Sequence, residues 1–418
     1  MYGFGVIWPI FDLISNLSKF DYLTLTYYSF YIILEGEIVN PFKYGDPVRG
    51  EYYHPRPDLK KSVLTFIENQ IHVVLIGPRR FGKTSFILDL LKTWKDQKRE
   101  TVYIDVFNVT THRDFLNQMV NAIADNSGWL DRVKKWFKEL PNHFRPAIEW
   151  EPSEQGLSSI KLSLQAHKLD DDQVKQLISG TFDLLPTLGK RVLIAFDEFQ
   201  TIGQLEDAGW LEATIRSKMQ LQKNISYIFS GSRHGIIHDM FNNPARPFYR
   251  SCQLIDFPRL GDDFSPWIVS RFQKAEISCS IDSANYLRNL VDDTPNYVQM
   301  ACFNLVANEV TEVNRVEVDE VLKRITSQNS YPYQTILNSL TPVQQRVLRL
   351  AACERSEIFR KDLLEKYEIK TPAHVSQAIK SLIAKQILDE NTSKGSVLFD
   401  DPLFAIWLRN EFSRNQPA

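Results

Sequence analysis

Apolar residues in this chain of 418 residues gather into five short unbroken runs, at 71–76, 101–107, 191–196, 225–229 and 252–257. The runs are rich in β-branched residues and lack polar alternation, the pattern of strands buried on both faces. Between them the apolar positions recur at three- and four-residue spacing. Leu59, Val63, Phe66 and Ile67 mark one helix, and Phe86, Ile87, Leu90, Leu91 and Trp94 another. Further helices are predicted near 112–126, 129–139, 171–186 and 205–221. Strands alternating with helices predict an α/β core with a parallel five-stranded sheet covered on both faces. Residues 141–168 break the pattern and read as an insertion or long connection.

From 262 to 338 the pattern is helical throughout. Beyond 340 it predicts three helical stretches and a β-pair. The first carries Val343, Val347, Leu348, Leu350 and Ala351, and the second spans 360–367. The third is opened by Thr371-Pro372, a cap residue followed by a first-turn proline, and has Val375, Ile379, Leu382 and Ile383 on one face. Two short strands around Lys394-Gly395 would be the wing of a winged helix. The organisation so read is an N-terminal extension (1–39), an α/β core (40–260), a helical lid (261–338) and a winged-helix module (339–418).

Residues 1–34 are rich in aromatics and hold one lysine, Lys19. Asp12, Asn16, Lys19 and Asp21 keep any apolar run below the ~18 residues that span a bilayer. The stretch has no basic n-region and no clear small-residue cleavage site, so a secretory signal is not expected. Two readings stand: a peripheral extension packed on the core or at a membrane surface, or a start placed upstream of a natural one near Asn40, the second preferred. The lack of a long apolar span predicts a cytoplasmic protein. A net charge of −2 lends no bulk support to nucleic-acid or membrane binding. Cys252, Cys279, Cys302 and Cys353 have neither metal nor redox spacing and read as buried free thiols.

Chemistry enters at Gly77-Pro78-Arg79-Arg80-Phe81-Gly82-Lys83-Thr84, which fits G-x-x-x-x-G-K-[ST] between a predicted strand and a predicted helix. Glycines let backbone N–H groups fold around phosphates, and the following helix aims its positive end at the same anion. Lys83 would neutralise the β- and γ-phosphates of ATP, and Thr84 would offer its hydroxyl to Mg²⁺. Ser85 completes the segment. The third apolar run ends in Asp197-Glu198. Asp197 would hold Mg²⁺ through water, and Glu198 would polarise the attacking water. The adjacent glutamate is read as placing the base on the strand next to the phosphate-loop strand, which argues for ATP hydrolysis over a GTPase arrangement.

Ser230 and Ser232 end the fourth run, where a hydroxyl meets the γ-phosphate or the attacking water, or else caps the next turn. Ser232 is the candidate taken forward. In Pro244-Ala245-Arg246-Pro247-Phe248-Tyr249-Arg250, one arginine, Arg250 by preference, is a candidate finger on a neighbouring subunit's ATP. The other reading is a surface arginine paired with a carboxylate.

These residues resemble the archaeal-type ATPases, a branch of the STAND-like and AAA+ P-loop proteins. The likeness covers 40–410. It includes the lead-in Asn40-Pro41-Phe42-Lys43-Tyr44-Gly45 with Val48-Arg49-Gly50, the loop Gly77 to Ser85, and the Asp-Glu-Phe-Gln stretch at 197–200. It continues with Phe229-Ser230-Gly231-Ser232, Pro247-Phe248-Tyr249-Arg250, and the terminal stretch from Asp400 to Leu408. Relatives often carry Gly-x-Pro near the lid, the proline approaching the base; here Asp293-Thr294-Pro295 lacks the glycine.

The resemblance implies slow, Mg²⁺-dependent ATP hydrolysis driving a switch or scaffold that works through an unknown protein client, with nucleotide-dependent homo-oligomers. The competing reading is a DNA-associated ATPase. The third winged-helix segment would then present His374, Gln377, Lys380 and Lys385 outward to duplex DNA. Against it, residues 341–418 hold 12 Lys and Arg against 10 Asp and Glu, a thin basic footprint for a DNA reader, so a winged helix used for protein contact, or as an intramolecular clamp on the ATPase, is an equal expectation.

Overall fold

Helix α1 (Pro57–Glu68) leads into strand β1 (Val73–Ile76), and the chain then turns through the phosphate loop into α2 (Lys83–Asp96). There follow β2 (Glu100–Asp105), α3 (His112–Ala124), α4 (Leu130–Glu139), a hairpin β3 (Ile148–Pro152) and β4 (Ile160–Leu164), and α5 (Asp171–Leu184). Then come β5 (Val192–Asp197), α6 (Ala208–Leu221), β6 (Ile225–Gly231), α7 (His234–Asn242) and β7 (Gln253–Asp256). The computed structural model describes residues 39–125, 129–140, 148–152, 160–164, 169–232, 234–354, 357–389 and 397–414. The expectations for residues 1–38 and for Lys394-Gly395 lie outside the described residues. The chain from Phe42 onward forms one unit.

All five predicted strands are present and parallel, in the order β2-β5-β6-β1-β7. Their side chains alternate between two apolar layers, the period-2 rule of a pleated sheet. On one face Val73, Leu75, Leu193, Ala195 and Ile228 meet Val63 and Ile67 of α1 and Phe86, Ile87, Leu90 and Trp94 of α2. On the other, Ile194, Phe196, Tyr227 and Phe229 meet Phe115, Phe182, Phe241 and Phe248. Phe196 and Phe229 lie with ring centroids 5.7 Å apart and planes 6° off parallel. Thr111 and Asp170 open α3 and α5 with reciprocal capping boxes to Asp114 and Gln173, which satisfies donors a helix start leaves bare.

The order corrects one expectation. The strand that ends in Asp197-Glu198 is not the neighbour of β1, because β6 lies between them. Motif order along the chain carries no information on which crossover strand slots beside β1. Part of the supposed connection at 141–168 is the β3–β4 hairpin.

The lid comprises α8 (Phe264–Lys274), α9 (Ile281–Leu290), α10 (Pro295–Ala307), α11 (Arg315–Gln328) and α12 (Ser330–Asn338). It is not helical throughout: β8 (Ser278–Cys279) and β9 (Glu312–Val313) form a short parallel pair. The C-terminal module has α13 (Pro342–Glu354), α14 (Lys361–Lys366), α15 (Pro372–Ala384) and a fourth, unpredicted helix, α16 (Pro402–Arg414). Leu388 bridges Phe399 antiparallel at the base of the predicted wing. Residues 402–408 are all buried, so α16 shows no amphipathic period to read. Lid and winged helix share one hydrophobic core, in which Val318, Leu322 and Ile325 join Val347, Leu350, Phe404 and Leu408.

Of the four free cysteines only Cys302 is fully buried, while Cys353 is exposed, so the expectation of buried thiols holds for one. No described helix is long and apolar enough to cross a membrane.

Phe229 touches five other rings and is fully buried. Phe229→Ala is expected to cost about 3–5 kcal/mol of stability, read from urea unfolding. A loss under about 1 kcal/mol would mean the ring cluster is not the centre of that layer.

Candidate active site

The phosphate loop is shaped by two glycines for different reasons. A Cβ on Gly77 would stand 2.8 Å from the Cβ of Phe257 at the end of β7, so the turn has no room for a side chain. Gly82 has open space around it but a φ of +89°, a conformation that costs any other residue. Gly82 precedes the first turn of α2, and no side chain among the described residues caps that helix. Its leading N–H groups are therefore left for an anion, which the helix dipole favours.

Lys83, 4% exposed, lies inside this loop. Its Nζ donates to the carbonyls of Gly77 at 2.7 Å and Pro78 at 2.8 Å. Burial lowers its pKa to about 8, against the pull of the Glu198 and Asp197 carboxylates, and Arg79 lowers it further. The lysine is thus a desolvated cation held by neutral carbonyls, poised to take a stronger anionic partner. Ser85 accepts the Val48 N–H at 3.0 Å, so the lead-in crosses the start of α2. Arg56, buried, donates to the carbonyls of Phe81 and Pro258 and lies 4.3 Å over the Phe257 ring.

Asp197, 2% exposed, ends β5 beside the loop. It accepts from Thr84 Oγ1 at 2.6 Å, from Tyr103 OH at 3.0 Å, from Ser230 Oγ and from the Glu198 N–H at 3.1 Å. Ser230 thus gives its hydroxyl to Asp197. Burial and Asp197 together push the Tyr103 hydroxyl up, so it stays a protonated donor.

Glu198 follows in the left-handed region at φ +55°, a sharp turn at the strand end of the kind that clusters at functional sites. Its Oε2 accepts from Gln200 Nε2 at 2.5 Å and from Ser232 Oγ at 3.0 Å, while the Ser232 N–H donates to Gln200 Oε1 at 3.3 Å. The bare Cα of Gly231 makes room, since a Cβ there would meet both Gln200 and Ile237 at 2.5 Å. Ser232 is therefore brought to the candidate base.

Arg250 is not brought to this site. It is exposed, stacks on Tyr249 at 5.2 Å, and precedes β7 at the end of the sheet away from the phosphate loop. Arg246 pairs with buried Glu212 at 2.8 Å, which fits the intramolecular reading for that arginine.

Tyr103, Gln200 and Arg56 escaped sequence reading as site residues. A lone hydroxyl-bearing ring two residues before the end of an aliphatic strand was the available signal for Tyr103. Nothing local marks Arg56.

A glycine-shaped loop around a buried lysine, with a carboxylate pair at the end of a second parallel strand, defines a P-loop ATPase core. Residues 67–238 match the family model of an AAA domain, and residues 331–410 match that of a probable winged helix domain. The chain thus combines a P-loop AAA domain with a C-terminal winged helix domain. Among solved structures, a Walker-type ATPase of Pyrococcus abyssi shares its fold. That likeness has a TM-score of 0.60 at 17% identity and covers 88% of this chain and 99% of that one. The ORC2 protein of Aeropyrum pernix, in ADPNP and ADP complexes, aligns at TM-score 0.49 and 13% identity over 86% of this chain and 93% of that one. No curated protein matches the chain.

Gly82→Ala tests the loop without touching any side-chain partner. The substitution is expected to cost about 1–2 kcal/mol in urea unfolding; an unchanged midpoint would mean the loop readily leaves the left-handed geometry.

Proposed function

We propose that the chain binds ATP with Mg²⁺, hydrolyses it slowly, and uses the cycle as a switch or scaffold acting on a protein client. The observation that carries this reading is the buried Lys83, held by loop carbonyls, beside an Asp197-Glu198 pair fixed by named donors. Loop N–H groups and Lys83 would take the β- and γ-phosphates. Thr84 and Asp197 are hard oxygen donors that meet directly, and they fit a magnesium ion, Asp197 through water. When bound, the ion supplies charge neutralisation of the phosphates.

Glu198 accepts the proton of the attacking water, and Ser232 and Gln200 hold its carboxylate in place for that transfer. Lys83→Ala is expected to weaken ATP binding about a hundredfold by calorimetry. Glu198→Gln should keep binding while turnover falls about 10²–10⁴-fold. A wild-type chain that binds no nucleotide would overturn the reading.

Phosphate would restore the full charge of Lys83, so binding should draw in a proton above pH 8. ATP affinity is then expected to fall as pH rises through about 8, where the free chain has lost the proton that the complex keeps. Calorimetry at pH 8.5 in two buffers of different ionisation enthalpy reads that uptake. Equal heats in both would show that Lys83 does not change protonation.

Arg250, exposed at the far end of the sheet, suits a finger reaching a neighbour's ATP in a nucleotide-dependent homo-oligomer. One observation favours the second reading, a role on duplex DNA: Gln377, Lys380 and Lys385 are exposed on or just past α15. His374 departs from that expectation, being half-buried with its Nδ1 3.0 Å from Thr371 Oγ1. ATPase rates with and without duplex DNA separate the readings: stimulation that fades with salt favours DNA, and indifference favours the protein client.

A further inference from the structure

Arg80 is the one non-glycine residue of the phosphate loop in the left-handed region, at φ +65°. Its guanidinium lies 4.9 Å over the Tyr297 ring in the first turn of α10 and donates to the Tyr297 hydroxyl. Its backbone carbonyl accepts the Asn296 N–H at 3.4 Å. The same guanidinium stands 4.0 Å from Oδ2 of Asp401, in the winged-helix module. Loop, lid and winged helix therefore meet on one arginine.

Asp401 is well placed to hold that contact. Its Oδ1 accepts the Leu403 N–H at 2.9 Å, so it caps α16, and its Oδ2 accepts from Tyr333 OH at 3.0 Å. Tyr333 packs on Phe404 and Trp407, and the Trp407 indole donates to Ser330 Oγ at 3.0 Å. Asp400, the preceding residue, is half-buried. Burial pushes its carboxyl up, and Arg79 and Arg80 pull it back down. Lys83 also feels Asp400. A cavity of about 300 Å³ lies at this junction, lined by Pro78, Arg79, Phe81, Phe257, Asp400 and Pro402.

Two carboxylates thus face the three cations of a loop whose own ligand would be a polyanion. Like charges crowded on one set of cations repel. We propose that Asp400 and Asp401 form an anionic latch that holds the winged helix against the phosphate-loop arginines, and that nucleotide phosphates displace it. The proposal rests on the ATP-switch reading and supplies its moving contact. Linkage makes the effect mutual: bound nucleotide loosens the winged helix, and a client that pulls the winged helix away raises nucleotide affinity.

The test compares the full chain with Asp400→Asn/Asp401→Asn, Arg80→Ala and Lys83→Ala. ATP affinity is measured by calorimetry and amide hydrogen exchange is followed in α16. The carboxamide pair is expected to bind ATP about 5- to 50-fold more tightly than wild type. In wild type, saturating ATP should speed exchange in α16. Arg80→Ala, which leaves the α16 cap intact, should show fast exchange before nucleotide is added and no further rise after.

If the carboxamide pair binds ATP no more tightly, or α16 exchange in wild type ignores ATP, the latch is wrong. Should the carboxamide pair fail to fold, the Arg80→Ala exchange pattern decides alone. Wild type that binds ATP while Lys83→Ala does not, with α16 indifferent, sinks the latch and spares the ATP reading. A wild type that binds no ATP sinks both.

Discussion

Burying a carboxylate at the end of a parallel strand is the constraint around which this site is arranged. Asp197 is almost wholly removed from water, and an unpaired charge there would cost several kcal/mol. Thr84, Tyr103 and Ser230 each bring a hydroxyl to it, and its neighbour's N–H adds a fourth bond. Bonds to a charged acceptor contribute about 1.5–3 kcal/mol apiece, so the set offsets the burial. The three hydroxyls come from α2, β2 and β6. Satisfying one charge therefore fixes the phosphate helix and two strands relative to β5, and with them the position of Lys83 and of Glu198.

The features legible in the sequence were those with a local signature. Five unbroken apolar runs gave five strands, because a strand buried on both faces cannot hide its composition. Gly77, Gly82, Lys83 and Thr84 were readable because phosphate binding constrains spacing along the backbone. Contacts between distant segments were not. The order of β1, β5 and β6 depends on how crossovers pack, and Tyr103 reaches Asp197 from a strand distant in sequence. Helix α16 escaped because burial on every side erased its period, although its first residues resembled a family stretch. Arg56 carries no pattern at all; its burial follows from where the lead-in is routed.

Gln200 illustrates a residue whose neighbourhood matters more than its type. Its amide spans from Glu198 on one strand end to Ser232 on the next, and it can do so only because Gly231 carries no Cβ. A carboxylate on a left-handed backbone turn would otherwise be free to rotate. Binding it from two sides trades side-chain freedom for a defined direction, the form of preorganisation that helps a proton acceptor. The cluster also ties the ends of β5 and β6 together at the mouth of the site.

The shared core of lid and winged helix has a mechanical consequence. Because Val318 and Leu322 pack in the same apolar mass as Val347 and Leu408, neither part can slide past the other without opening a cavity, and packed interiors resist that. Any movement of the two would therefore be that of a single lever arm, with its fulcrum where that core meets the sheet, around Phe257 to Leu260. Helix α16 has 13 residues and is about 20 Å long. A tilt of a few degrees at the fulcrum therefore sweeps its far end through an ångström or more. Under the proposed latch, a small gain or loss of charge at the loop would become a displacement large enough for another macromolecule to sense.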